Sequence, residues 1–368
     1  MSVTIDIAGL PPERISVVPS PLAELGMALH ALSEPGHHPG LQGWVTAVSA
    51  SLDACLADRL CEADFLWRTT FSDVFAPFAG IPGGRSLPGS TLAAELDLLD
   101  TLSDETFVDI ALEFTCQLTY DTVTPDPLND AAVRKRALDL AATRGVHQVR
   151  FTKRLLDDPP QIRTWFRQLM EDCEEAFFAD IWGRLEHQLA ADARHKTELL
   201  RHKGLKETLS AVSAAVSLEE RAERITVDKL SEGRTATGDG GLVLVPTSLG
   251  WPHLFVLHRY GWQPAITYPV GAPRPSTPAS VEELTRRMEA LAHPVRMRLC
   301  RHLARGAYTT SELVDAHGMT APEISRHLTV LKKAGLLTAR RRGRYVLHQL
   351  DLTAVARLGS DFIEGVLR

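Results

Sequence analysis

The stretch Thr320 to Leu337, reading TAPEISRHLTVLKKAGLL, runs without a break into the arginine-rich segment TARRRGRYVLHQL, and few folds accommodate that succession. Thr320 and Glu323 have the spacing of a capping box, which predicts a helix start, and Pro322 is tolerated because a first-turn amide has no partner in the helix. Ile324, Leu328, Leu331 and Gly335 share one face at helical spacing. Pro322, Ser325, Arg326, Thr329 and Lys333 therefore point away from the core, where they are free to bond bases and phosphates. Gly335 sits where a left-handed cap ends a helix. Arg340, Arg341, Arg342, Gly343 and Arg344 follow in what reads as a two-stranded ribbon turning near Gly343. Guanidinium groups so clustered suit phosphate oxygens or a narrow minor groove.

The same punctuation continues upstream. Thr309 and Glu312 predict a short helix through Leu313 and Val314 that ends near Gly318. Before it, LAHPVRMRLCRHLARG carries Leu291, Val295, Leu299 and Leu303 four residues apart, with Pro294 at a permitted start. Ser280 and Glu283 predict a further helix through Leu284, Met288 and Leu291.

On the residues Leu291-Ala292-His293-Pro294-Val295-Arg296, the SRHLTVLKKAGLL block and the basic wing ending at Tyr345, residues 280–368 resemble the winged helix-turn-helix domain of ArsR-type bacterial repressors. The resemblance covers about a quarter of the chain. It implies four or five helices with a wing, a homodimer built from the first and last helices, and a palindromic operator on double-stranded DNA. Carried onto this sequence, the DNA-facing residues are Thr320, Ala321, Pro322, Ser325, Arg326, His327, Thr329, Lys333, Arg340, Arg341, Arg342 and Arg344. His327, at the edge of the apolar face, reads equally as a core histidine or a phosphate contact. The family's metal ligands do not carry over. Thr310-Ser311-Glu312-Leu313-Val314 stands where soft-metal sensors place two cysteines, and no histidine follows Asp351. No metal is expected there, and a metal-responsive repressor is disfavoured.

With 368 residues the chain exceeds one small DNA-binding module. YPVGAPRPSTPAS, with Pro269, Pro273, Pro275 and Pro278, denies helix and sheet interior alike. This divides the chain into an N-terminal body (1–270), a linker (271–279) and the winged domain (280–368). Charge is polarised across the boundary. Residues 281–368 carry 15 lysines and arginines against 9 acidic residues, about +6, which leaves about −12 of the net −6 upstream. A basic module suits a polyanion, whereas an acidic body would be repelled by one.

The expected fold class is α+β. Leu92 to Tyr120, Asp130 to Leu156 and Gln161 to about Leu230 show helical spacing, while strand-like runs occur only at the ends, Val3 to Ile7 and Ile15 to Val18 in front and Leu242 to Val245, His253 to His258 and Ala265 to Tyr268 behind. The two ends are expected to meet in one small sheet that closes the body beside the linker. Five scattered cysteines fit reduced thiols, and no signal peptide or span of about 18 apolar residues is present, so a cytoplasmic protein with no membrane partner is expected.

Candidate sites in the body are weak. His187, His195, Glu198 and His202 read as a solvated helix face, His37-His38 as a surface turn, and FAGIPGGRSLPG as an irregular connection lacking the ending of a phosphate loop. Trp251, Phe255, Tyr260 and Trp262 read as core before pocket. Neither a catalytic set nor a cofactor is implied. The VLVPTSLGWPHLFV-like stretch ahead of the linker resembles an uncharacterised bacterial family. The expectation is a DNA-binding regulator, not an enzyme, whose body senses a small-molecule effector or shapes the dimer. Its competitors are an enzyme with an autoregulatory winged helix and a protein-interaction module.

Overall fold

A strand near the start of a chain exposes amides that only other strands can satisfy, so its partners must be brought from elsewhere. In the computed structural model, which describes residues 2–68, 71–81, 86–116, 126–229, 232–251, 253–270, 281–342, 345–356, 358–359 and 362, they come from the back of the body. The strands are β1 (Ser2–Asp6), β2 (Ile15–Val17), β3 (Val216–Glu219), β4 (Arg224–Asp228), β5 (Gly233–Ala236), β6 (Leu242–Thr247), β7 (Phe255–Leu257) and β8 (Ala265–Pro269). Front and back do meet, but in two four-stranded sheets, ordered β3-β4-β1-β5 and β2-β6-β8-β7, where one was expected. Pro11, Pro12 and the 3-10 turn Pro12–Arg14 separate β1 from β2, so each recruits its own partners. Val3 registers with Val227 and Gly233, and Val17 with Leu244.

Helical structure also departs from the expectation at both ends. The body holds α1 (Pro21–Ser33), while α2 (Gln42–Ser51) and α3 (Ala54–Ala63) lie likewise ahead of the first expected helix. It continues with α4 (Leu92–Thr101), α5 (Asp104–Cys116), α6 (Ala131–Ala142), α7 (Val146–Asp157), α8 (Pro159–Cys173), α9 (Ala179–Lys203) and α10 (Leu205–Val212). Helix stops well short of Leu230. Gly204, at φ +87°, breaks α9 from α10. Val216 and Leu218, then Ile225 and Val227, alternate with polar residues and pack as strands on Ala193, Leu200 and Leu209.

Buried carboxylates tie α1 into this body. Ser20 caps α1 by accepting from the Ala23 amide, and Glu95 of α4 accepts from the Ser20 hydroxyl (2.8 Å) and the Leu22 amide (3.0 Å). Burial pushes Glu95 up to about 8, so the folded protein holds a proton that the unfolded chain releases near 4.5. Its contribution to stability is present below pH 4.5 and is lost as pH rises through 8. Glu95→Gln should therefore lose less thermal stability than the native protein between pH 6 and 9, as a melting series would show.

Between β5 and β6 the chain turns at Gly241, φ +84°, where an added Cβ would lie 2.2 Å from the Arg14 carbonyl oxygen. Left-handed strain and a backbone clash both oppose a side chain there. Gly241→Ala is expected to cost about 1–3 kcal/mol in urea unfolding.

The chain forms two compact units, Met1–His38 with Leu52–Pro273, and Pro39–Ser51 with Arg274–Arg368. The second contains α2, α11 (Val281–Leu291), α12 (Pro294–Leu303), β9 (Tyr308–Thr309), α13 (Thr310–His317), α14 (Ala321–Lys333), β10 (Leu337–Arg342), β11 (Tyr345–Leu350) and α15 (Leu352–Ala356). Within it α2 packs on α15. The expected linker 271–279 and the Ser280 cap lie outside the described residues. Among the described residues no helix is long and apolar enough to cross a membrane.

Candidate nucleic-acid interface

Leu299, Leu303, Leu313, Ile324, Leu328, Leu331, Leu336 and Leu350 form one buried core, so α12, α13 and α14 are each held by an apolar stripe. Leu291, expected both in the helix after Ser280 and at the head of the next stripe, ends α11, because the His293-Pro294 step begins a new helix. The His293 ring accepts from the Val295 amide as its N-cap. Arg296 reaches back to donate to the carbonyls of Ala290 (2.5 Å) and Glu289 (2.9 Å), which satisfies the open end of α11. Neither role was read from the sequence. The Pro at a helix start, followed two residues later by Arg, is the signal that could have found them.

α13 begins on a complete capping box: the Glu312 amide donates to the Thr309 hydroxyl, and the Thr309 amide donates to the Glu312 carboxylate. It ends at Gly318, φ +62°. Two residues later Thr320 caps α14. The Glu323 carboxylate accepts from both the amide (2.9 Å) and the hydroxyl (2.7 Å) of Thr320, and these bonds hold it below the usual carboxylate range. At the far end the Leu336 amide donates to the Leu331 carbonyl and the Gly335 amide to that of Lys332, both at 3.0 Å, with Gly335 at φ +68°. This pairing is a Schellman cap, so both ends of α14 are fixed locally.

What α14 presents outward is polar and small. Thr320, Ala321, Pro322, Ser325, Arg326, Thr329 and Lys333 are exposed, while Ile324, Leu328 and Leu331 are buried. The Thr329 hydroxyl is turned back onto the Ser325 carbonyl (2.8 Å). His327 is half-buried, its ring 5.0 Å from that of His293, and burial with the nearby His293 and Arg296 lowers its pKa. That places it closer to a packing residue than to a free cation. Val330, 41 % exposed on the same helix, was not singled out in the sequence. A valine among Arg326, Lys333 and Thr329, off the apolar stripe, was the available signal.

Beside the helix, β10 and β11 form the expected ribbon, with Arg340 opposite Leu347, Arg341 opposite Val346 and Arg342 opposite Tyr345. β9 adds a third strand through Thr309 and Tyr308. Arg340 and Arg341 are exposed. Gly343, Arg344 and the Arg342 side chain lie outside the described residues.

The thiols and histidines complete the inventory. Cys300 and Cys173 are buried, and Cys55 and Cys61 are exposed and free. His187, His195, Glu198 and His202 are exposed on α9. Of the expected aromatic core, Tyr260 is exposed and Trp251, Phe255 and Trp262 are only half-buried. His37-His38 is not a simple surface turn: His38 is fully buried, and its ring lies 5.1 Å from both His30 and His253.

Two family models match separate stretches of the chain. A family described as "Family of unknown function (DUF5937)" matches residues 1–274, and a helix-turn-helix domain model matches residues 291–340. The HTH-type transcriptional repressor SmtB of Mycobacterium tuberculosis is 39 % identical over 105 residues, 26 % of this chain and 75 % of that protein. The HTH-type transcriptional regulator NmtR of Mycobacterium tuberculosis is 33 % identical over 96 residues, covering 25 % and 80 %. Among solved structures, the winged helix-turn-helix domain of a possible ArsR-family regulator from Mycobacterium bovis has 26 % identity and a TM-score of 0.20, covering 24 % of this chain and 84 % of that one. The chain belongs to the DUF5937 family of unknown function, joined at its C-terminal end to a winged helix-turn-helix domain of the ArsR and SmtB type.

Proposed function

We propose that the protein is a sequence-specific DNA-binding transcriptional regulator of the repressor kind, acting as a homodimer on a palindromic operator. The observation that carries this reading is α14 itself: capped at both ends, locked by Ile324, Leu328 and Leu331, and turning Pro322, Ser325, Arg326 and Thr329 outward. In this reading those four side chains meet base edges, and Val330 offers an apolar contact for a thymine methyl. Thr320, Ala321 and Lys333 meet the backbone, and Arg340, Arg341, Arg342 and Arg344 grip phosphates or the minor groove. His327 acts through packing against His293.

The repressor name of the SmtB relative supports the direction of control. Met288 on α11, 38 % exposed, offers apolar surface to a second copy. The body does not read DNA, since its charge would oppose the phosphates. Selection from a random duplex library should return an inverted repeat whose half-sites lie about one helical turn, roughly 10–10.5 base pairs, apart. Recovery of a single unrepeated half-site would remove the dimer from the reading, and recovery of unrelated sequences would remove specificity.

A further inference from the structure

Four histidines from two stretches far apart in sequence converge in the N-terminal body: His30 on α1, His37 and His38 just after it, and His253 ahead of β7. His30, His37 and His253 each offer a ring nitrogen within 4.8 Å of the others, and the His38 ring stands 5.1 Å from those of both His30 and His253. From this cluster the geometry points to a divalent transition-metal site, of the kind that takes Zn²⁺ or Co²⁺, held by His30, His37 and His253 with His38 as the fourth ligand.

The hydrogen bonds orient the rings for that role. The Nδ1 of His30 bonds the Trp67 carbonyl (2.6 Å) and that of His38 the Trp251 carbonyl (2.8 Å). A carbonyl only accepts, so the proton is on Nδ1 and the lone pair of each ring is on Nε2. Carbonyls partnering the outer nitrogen are the usual support of metal-bound imidazoles. Those Nε2 atoms, together with that of His253, are buried and find no hydrogen-bond partner among the described residues. An ordinary histidine core satisfies such atoms, since leaving one unmade costs about 1–3 kcal/mol. Three in one cluster make packing alone a poor account.

Charge state and distance agree with this arrangement. Burial and mutual repulsion lower His30 and bring His38 and His253 down to about 4, so these rings stay neutral and able to ligate at neutral pH. Lys229 adds to the repulsion at His253, while Glu34, paired with Arg68 at 3.2 Å, is the carboxylate whose field reaches His30. Three atoms no more than 4.8 Å apart share a centre within about 2.8 Å of each, so shifts of under about 1 Å bring them to the roughly 2.0–2.1 Å of a zinc–imidazole bond. Neutral nitrogen ligands without thiolate or carboxylate favour a borderline ion over calcium or magnesium. His37 is exposed and gives the ion a way in.

The test uses the full chain freed of metal by chelation. Titrated Co²⁺ should saturate at one per chain with the visible bands of a four-coordinate nitrogen site, Zn²⁺ should displace it, and Zn²⁺ should raise the melting temperature. His37→Ala, at an exposed position, and His253→Ala should each weaken binding by more than about tenfold, the least that loss of even an outer partner costs. The pair His302→Ala and His317→Ala, in the other unit, should leave it unchanged. Absence of one-to-one saturation, wild-type affinity in both His37→Ala and His253→Ala, or loss of binding in the His302/His317 variant would overturn the assignment.

Discussion

Arg259→Ala is expected to lower stability by about 3–5 kcal/mol, because it strips the counterion from two carboxylates that stay inside the body. The Arg259 guanidinium donates through Nε to Asp73 (2.9 Å) and through Nη1 to Asp109, and all three side chains are almost entirely enclosed. Burial raises Asp109 even against the pull of Arg259, so without the arginine one acid must take a proton or the region must open. Arg259→Lys should recover only part of the loss, since an ammonium cannot fork between two carboxylates. The guanidinium also lies 5.5 Å over the Trp262 ring, so tryptophan fluorescence in a urea titration reports the transition locally. A loss below about 1 kcal/mol for the alanine variant would mean that the triad contributes little.

Removing Arg326, Arg340 and Arg341 together should cost on the order of 100-fold in operator affinity, and the parts of that loss should differ in kind. Arg326 lies on the outward face of α14. Alone, Arg326→Ala should cost about 1–3 kcal/mol on the best site and relax preference at one base pair of each half-site. Arg340 and Arg341 lie on the ribbon, where guanidinium groups reach phosphates irrespective of sequence. Their alanine variant should weaken every duplex and flatten the logarithmic salt dependence by about one to two per protomer. Fluorescence anisotropy across a salt series separates the two. Equal losses on specific and random duplexes for Arg326→Ala would contradict its role as a base reader.

How much of this was legible depended on whether the signal was local. Thr309 with Glu312, Thr320 with Glu323, Gly318 and Gly335 act within one helical turn, and the structure places a boundary at each. The Arg340 to Tyr345 ribbon is likewise local. α1 is buried on every side, Glu24 and His30 included, so no polar face sets it off in the sequence. The two sheets depend on pairings more than two hundred residues apart, such as Val3 with Val227, that no short pattern encodes. Val216 to Asp228 follows a long helix whose spacing it resembles, and only the alternation of Ile225 and Val227 marks it as strand. The histidine cluster was invisible for the same reason as the sheets: His253 meets His30 only through the fold, and a buried His38 looks like any loop residue in a Pro-Gly context. The grouping of α2 with the second unit has no sequence signal that we recognise.

The most direct measurement of the central claim is the affinity of the purified full chain for its selected operator against a scrambled duplex of equal length at physiological salt. Specific recognition through α14 predicts a preference of at least about 10³-fold that falls toward unity when Arg326 and Ser325 are both replaced by alanine. Equal affinity for the two duplexes, or a preference untouched by that double replacement, would contradict it.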